Sequence, residues 1–202
     1  MRVIAGSAKG RTLTAPRGLA IRPTTDKVKG AIFSMLDAEA FRRAETEAEG
    51  GKLGKVLDLY AGTGALGMEA LSRGAEHCDF VESNARARQA ITENLRRTGL
   101  TPRATIHALR AEAAISTLVG PYDLILADPP YTDSNLPALI TAIGRSEIIS
   151  ERTLAVIEHL RSIDLPAHSG QLHLLRSRYH GTTAITLYAS GASDDGEPPN
   201  PQ

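Results

Sequence analysis

Two clusters in this sequence combine residue types and spacings that could do chemistry. The first is Asp58-Leu-Tyr60-Ala61-Gly62-Thr-Gly64-Ala-Leu-Gly67, a Gly-x-Gly-x-x-Gly pattern with an acid four residues upstream and Glu82 twenty residues beyond Gly62. It lies between a strand-like run and a helix-like one, and read alone it is a dinucleotide fingerprint. Asp58 argues against that reading. Its carboxylate would face any pyrophosphate lodged on the helix N-terminus, and two anions at close range repel. S-adenosylmethionine has no phosphate and carries an ammonium and a sulfonium, so an acid beside the loop suits it, with the glycines serving close backbone approach. Glu82 suits the ribose hydroxyls of either ligand, and Ser83 follows it.

The second cluster, Asp128-Pro129-Pro130-Tyr131, directly follows the apolar run Tyr122–Ala127. Consecutive prolines fix the backbone and remove its donors, which leaves a carboxylate and carbonyl oxygens as acceptors. An exocyclic base amine offers two N–H donors and a lone pair delocalised into the ring. Accepting those hydrogens at Asp128 and the Pro129 carbonyl favours a pyramidal nitrogen able to attack a methyl group. Collinear placement of nitrogen, methyl carbon and sulfur supplies much of the remaining acceleration. Tyr131 offers a ring on which the base can stack. Taken alone, the tetrapeptide is equally a rigid turn.

The elements that must position these residues are legible as alternating runs. Strands are expected at Lys55–Tyr60, Cys78–Glu82, Ala104–His107, Tyr122–Ala127 and Thr153–Glu158, and helices at Ala65–Ser72, Asn84–Thr98, Ala111–Leu118 and Leu136–Gly144. The pattern predicts an α/β Rossmann-like fold with a mainly parallel, seven-stranded sheet covered on both faces. Gln171–Arg178 and Thr183–Tyr188 should close it as an antiparallel hairpin. Ahead of the domain, Arg2–Ala5 and Thr12–Thr14 read as a β-hairpin arm, and a helix is expected from Thr25 to about Leu36, with a loop from Arg42 to Lys52. The expected organisation is an arm over 1–22, a methyltransferase domain over 23–189 and a disordered tail over 190–202.

The 202 residues, 42% hydrophobic and 23% charged, are those of a globular chain with one main domain. No stretch suits a signal peptide or membrane span, which predicts a cytoplasmic protein. The lone Cys78 reads as packing, and six scattered histidines give no metal-ligand spacing. The formal net charge of +0 conceals asymmetry. Residues 1–43 carry nine Lys or Arg, including Arg2, Lys9, Arg11 and Arg22, against Asp26, Asp37 and Glu39. Such an arm suits a phosphate backbone, or else a solvated surface. Arg86, Arg88, Arg96 and Arg97, opposed by Glu93, extend an RNA surface or form a solvated helix face, and Glu158-His159 reads as a satisfied strand-end pair.

The sequence resembles the bacterial small-subunit rRNA guanine-N2-methyltransferases of the RsmD type. The matching segments are Arg2–Arg11, Arg22-Pro-Thr-Thr-Asp-Lys through Phe33, Val56–Ala75, Phe80–Glu82 and Ala127–Tyr131. The resemblance implies S-adenosylmethionine as cofactor and N2 of one guanine of 16S rRNA as acceptor, position 966 in the usual RNA numbering. It further implies an assembled or partly assembled small subunit as partner, with no metal; a monomer is expected. By the same transfer, Arg22, Pro23 and Thr24 would line the cleft, unless they only cap the first helix. Such enzymes often place an Asp after the third strand, where this chain reads His107-Ala-Leu-Arg110-Ala111. Adenine would then rest on backbone groups there, with Arg110 and Ala111 in the cofactor loop. The rival readings are a DNA adenine or cytosine amino-methyltransferase, a non-catalytic RNA-binding assembly factor and an NAD-dependent oxidoreductase.

Overall fold

A computed structural model of the chain describes residues 1–16, 25–43, 53–130 and 135–191. The strands are β1 (Lys55–Leu59), β2 (His77–Val81), β3 (Ala104–His107), β4 (Tyr122–Ala127), β5 (Ile149–Leu160), β6 (His168–Ser169), β7 (Leu172–His180) and β8 (Thr183–Ser190). They form one sheet in the order β3-β2-β1-β4-β5-β8-β7-β6. β1 to β5 pair in parallel, and β8, β7 and β6 add antiparallel strands. Chain order reverses where β1 pairs with both β2 and β4, which opens a crevice at the carboxyl ends of these strands.

The central strands are nearly continuous apolar runs because helices cover both faces. On one face Val56, Leu124, Leu126 and Val156 pack against α1 (Asp26–Arg43), α2 (Ala65–Ser72) and α3 (Ala85–Thr98). On the other, Leu57, Leu59, Ile125 and Ile157 pack against α4 (Ala111–Thr117) and α5 (Leu136–Gly144). α3 starts where the Asn84 side chain accepts from the amides of Arg86 (2.9 Å) and Ala87 (3.2 Å), and stops at Gly99, φ 74°.

Among the described residues the sheet has eight strands rather than seven. β6 is two residues long, and its position depends on Gly144 and Gly170, whose backbones touch so closely that a Cβ on either would lie about 2 Å from the other segment. α1 continues to Arg43, past the expected end near Leu36, so Arg42 and Arg43 are helical rather than the start of a loop. The continuation brings buried Glu39 to Arg176 of β7, 3.5 Å away.

The expected N-terminal hairpin is present but short: an antiparallel bridge joins Arg2 to Thr12, with Val3 N donating to the Arg11 carbonyl (3.0 Å), Leu13 N to the Met1 carbonyl (3.0 Å) and Gly10 N to the Val3 carbonyl (2.9 Å). The amides on its turn side go to α2. The fully buried Glu69 carboxylate accepts from Ile4 (2.8 Å) and Ala5 (3.0 Å), and Ser72 Oγ accepts from Ala8 (2.9 Å). Val3, Ala8 and Leu13 are buried in the core, and the buried Lys29 ammonium donates to the Arg2 carbonyl. The segment is packed against the domain rather than projecting from it. The expected boundary between residues 22 and 23 lies outside the described residues, as do 44–52 and the tail from 192.

Candidate active site

The chain leaves β1 through a tight turn. Tyr60 has φ 59°, Gly62 56° and Gly64 81°, and among the described residues Tyr60 is the one non-glycine with positive φ. Such a conformation costs on the order of 1–3 kcal/mol and clusters at functional sites. The amides of the three glycines all have protein acceptors: Gly62 N donates to Glu82 Oε2 (2.9 Å), Gly64 N to the Ala61 carbonyl (2.7 Å) and Gly67 N to Asp58 Oδ2 (2.9 Å). Ala61 N donates to the Val81 carbonyl (3.0 Å), tying the loop to β2. A Cβ on Gly67 would stand 2.4 Å from the Phe80 ring and 2.7 Å from Cys78 Sγ, so this glycine lets α2 lie close on β2. Gly67→Ala is expected to destabilise the fold by about 1–3 kcal/mol through overpacking, read as a lower urea midpoint.

Asp58 is buried, and burial pushes its carboxyl up to about 7. The Gly67 amide pulls the other way, while Asp128 and Glu82 add to the rise. Carboxylates thus stand at the ends of β1, β2 and β4, with Glu82 and Asp128 close enough to raise the cost of ionising Asp58. Glu82 also accepts from the Asn84 amide through Oε1 (2.7 Å), so each of its oxygens already holds one backbone N–H and keeps a second lone pair. Ser83 is exposed; its carbonyl and that of Glu82 accept from Arg88 (2.7 and 2.9 Å). Arg96 pairs with Glu93 through two contacts of 2.9 and 3.0 Å. These two of the four α3 arginines therefore serve intramolecular contacts.

Asp128 follows β4 beside the loop, since Ala127 pairs with both Leu59 and Ile157. It is half-buried, Pro129 is buried and Pro130 is exposed. Tyr131, Arg22, Pro23 and Thr24 lie outside the described residues. Arg110 precedes α4 with its side chain 82% exposed, 3.7 Å from Glu112, and Ala111 is buried. The arm residues divide. Arg2, Lys9 and Arg11 are all exposed, and Arg2 is in addition tied to Asp26 at 3.2 Å. Lys9 sits on the turn held to Ser72, at the far end of α2 from the glycine loop, about 12 Å along a helix of this length. Thr14 lies at the near end: Asn94 bonds both Thr14 and the Thr63 carbonyl of the loop.

One polar network was not legible beforehand. Asp79, buried on β2, accepts from His107 Nε2 and from the Tyr122 hydroxyl, each at 2.8 Å, with Lys55 3.6 Å away. Burial alone would raise its carboxyl, but these partners hold it below the ordinary value. The network fixes β3 against β2 where His107 ends the strand; an acid inside an apolar strand was the available signal. His159 is satisfied as expected: Nδ1 donates to the Leu160 carbonyl, Nε2 meets the Thr186 hydroxyl, and burial lowers its pKa. Among the described residues, no three His, Cys, Asp or Glu are grouped to hold a metal, and no helix is long and apolar enough to cross a membrane.

A parallel sheet with this reversal, a glycine turn after β1 and an acid ending β2 define the class I methyltransferase fold. The chain belongs to the family described as Conserved hypothetical protein 95, which matches residues 1–189. It is 40% identical over 191 residues to YlbH of Bacillus subtilis, named as a candidate rRNA methyltransferase, covering 93% of this chain and 98% of that one. It is 29% identical over 204 residues to Ribosomal RNA small subunit methyltransferase D of Escherichia coli K12, covering 96% and 93%. The solved structure of E. coli YhhF, described as a candidate methyltransferase, superposes with a TM-score of 0.78 at 30% identity, covering 96% of this chain and 99% of that one. The resemblance to the RsmD type is borne out at the level of the family.

Proposed function

We propose that this chain transfers a methyl group from S-adenosylmethionine to the exocyclic N2 amine of a guanine in small-subunit rRNA. The observation that carries the reading is the convergence of Asp58, Glu82 and Asp128 around a loop whose glycine amides are already bonded within the protein. A pyrophosphate would meet three carboxylates and no free glycine amide; a cationic ligand relieves their mutual repulsion. The residues present therefore fit S-adenosylmethionine. Asp58 and the Tyr60–Gly64 turn would hold the methionine end, Glu82 the ribose, and the backbone around Arg110 and Ala111 the adenine. When bound, this cofactor supplies an electrophilic methyl group on sulfur.

The chain's own groups act on the acceptor. Asp128 and the Pro129 carbonyl accept the two amine hydrogens and turn the nitrogen lone pair toward the cleft, and Asp128 can take the proton released on transfer. Pro129 and Pro130 keep that strand end rigid, and Tyr131 stacks the base. Guanine N2 rests on the RsmD resemblance. The small subunit rests in addition on the name carried by the E. coli relative. In this reading the protein works in the cytoplasm, as a monomer, on an assembled or assembling small subunit.

Incubation with radiolabelled S-adenosylmethionine tests this reading against its rivals, using small subunits from cells lacking the modification, duplex DNA and, separately, an NAD titration. Label in small-subunit rRNA is expected. Label confined to DNA, or NAD binding without label transfer, would contradict it.

A further inference from the structure

At the same carboxyl edge as Asp128, the β7–β8 hairpin carries an exposed aromatic that the proposed chemistry leaves unused. Tyr179 is 51% exposed, and one face of its ring is covered by the Arg161 guanidinium, 4.8 Å from the ring centroid. Arg161 follows β5, and its amide donates to the Thr182 carbonyl of the hairpin turn (2.9 Å), so the pair rests on two elements. Register places it. Tyr179 pairs with Ala184, Ala184 with His159, and His159 lies two residues beyond Ile157, the partner of Ala127. Tyr179 therefore stands level with the Asp128-Pro129 step and three strands away, about 14 Å at ordinary strand spacing.

The hairpin's own charge has one sign, although Asp164 lies three residues beyond Arg161. From Leu165 to Gly191 the chain has no Asp or Glu, and it carries Arg176, Arg178 and three histidines. Arg176 is engaged with Glu39, whereas Arg178 and Arg161 are exposed. A cation on one ring face fixes its orientation and leaves the other face for a flat partner. An exposed ring backed by the Arg161 guanidinium fits an unpaired nucleotide, base on the ring and phosphate on Arg161, whereas Arg178, next to Tyr179 along the strand, lies on the opposite face of the sheet.

We propose that Tyr179, with Arg161, forms a second RNA contact that stacks an unpaired base flanking the target and so positions the acceptor strand over Asp128. This inference rests on the RNA reading above, and steady-state kinetics with small subunits separates the two. Tyr179→Ala is expected to raise the apparent KM for subunits roughly 5- to 100-fold, the worth of one stacked base. Its kcat, its cofactor affinity and its melting temperature should stay close to wild type, and Tyr179→Phe should behave as wild type because the ring is retained. Arg161→Gln should reduce the slope of log KM against log salt by about 1, and Arg178→Gln, on the other face of the sheet, should leave it unchanged. An unchanged KM in Tyr179→Ala, a Phe variant as impaired as the Ala variant, or a loss confined to kcat would overturn this inference alone. A wild-type protein that methylates no rRNA would overturn the functional reading and this inference with it.

Discussion

Asp128→Ala is expected to lower the rate of methyl transfer by about 10²–10³-fold, the usual cost of removing one preorganised polar group aimed at charge that develops in a transition state. The effect should fall on kcat, because the carboxylate meets the acceptor amine as its nitrogen becomes pyramidal and positive. Asp128→Asn should be impaired nearly as much: its carbonyl still accepts one hydrogen, but the negative charge is gone. Cofactor binding should survive both changes, and near neutral pH it should tighten slightly. Asp128 is one of the two carboxylates that push Asp58 up, so its removal lets Asp58 ionise more readily. Single-turnover kinetics beside cofactor titration separates the two effects. Equal losses in affinity and rate would place Asp128 on the cofactor rather than the acceptor.

The second large effect concerns pH. Burial first, then Asp128 and Glu82, raise the Asp58 carboxyl from its ordinary 3.8 to about 7. In the free protein the folded state then holds a proton that the unfolded state releases between these values. Stability conferred by the neutral form is full below about pH 4 and is lost as pH rises through 7. A bound cation reverses the preference and expels the proton. Affinity for S-adenosylmethionine should therefore rise by up to about tenfold per pH unit below 7, roughly 100-fold in all from pH 5 to above 7, and then level off. Asp58→Asn keeps an oxygen to accept from the Gly67 amide and should bind weakly without that rise. A pH-independent affinity in the unaltered protein would remove Asp58 from the cofactor's surroundings.

The fold was legible because the parallel strands read as apolar runs and the helices between them carry strong boundary signals. Ala65–Ser72, Ala104–His107, Tyr122–Ala127 and Leu136–Gly144 fall at the expected positions. What escaped the sequence depends on contacts between distant segments. β6 has two residues and no periodicity, and it exists through the close approach of Gly144 and Gly170. The arm alternates like a hairpin and pairs as one, but that pattern does not show that the amides of Ile4, Ala5 and Ala8 are taken by Glu69 and Ser72 of a helix more than sixty residues away. Asp58 was placed correctly at the end of β1, but spacing alone does not show that its carboxylate is buried and bonded to Gly67. Glu82 likewise stands where a ribose partner belongs while already holding two backbone amides. Lys9 and Arg11 counted equally with Arg2 in a charge sum, but packing sends the arm's turn to the far end of α2. Tyr179 gave no signal, because its exposure and its place level with Asp128 come from strand register.

The central claim is that this cleft methylates a planar exocyclic amine of small-subunit rRNA. Nucleoside mass analysis tests it most directly, applied to subunits incubated with the purified protein and S-adenosylmethionine and followed by mapping of the modified fragment. A single N2-methylguanosine, present with wild-type protein and absent with Asp128→Ala, is the predicted product. A methyl group on a ring nitrogen, a ribose or a ring carbon would contradict the role given to Asp128 and the prolines beside it.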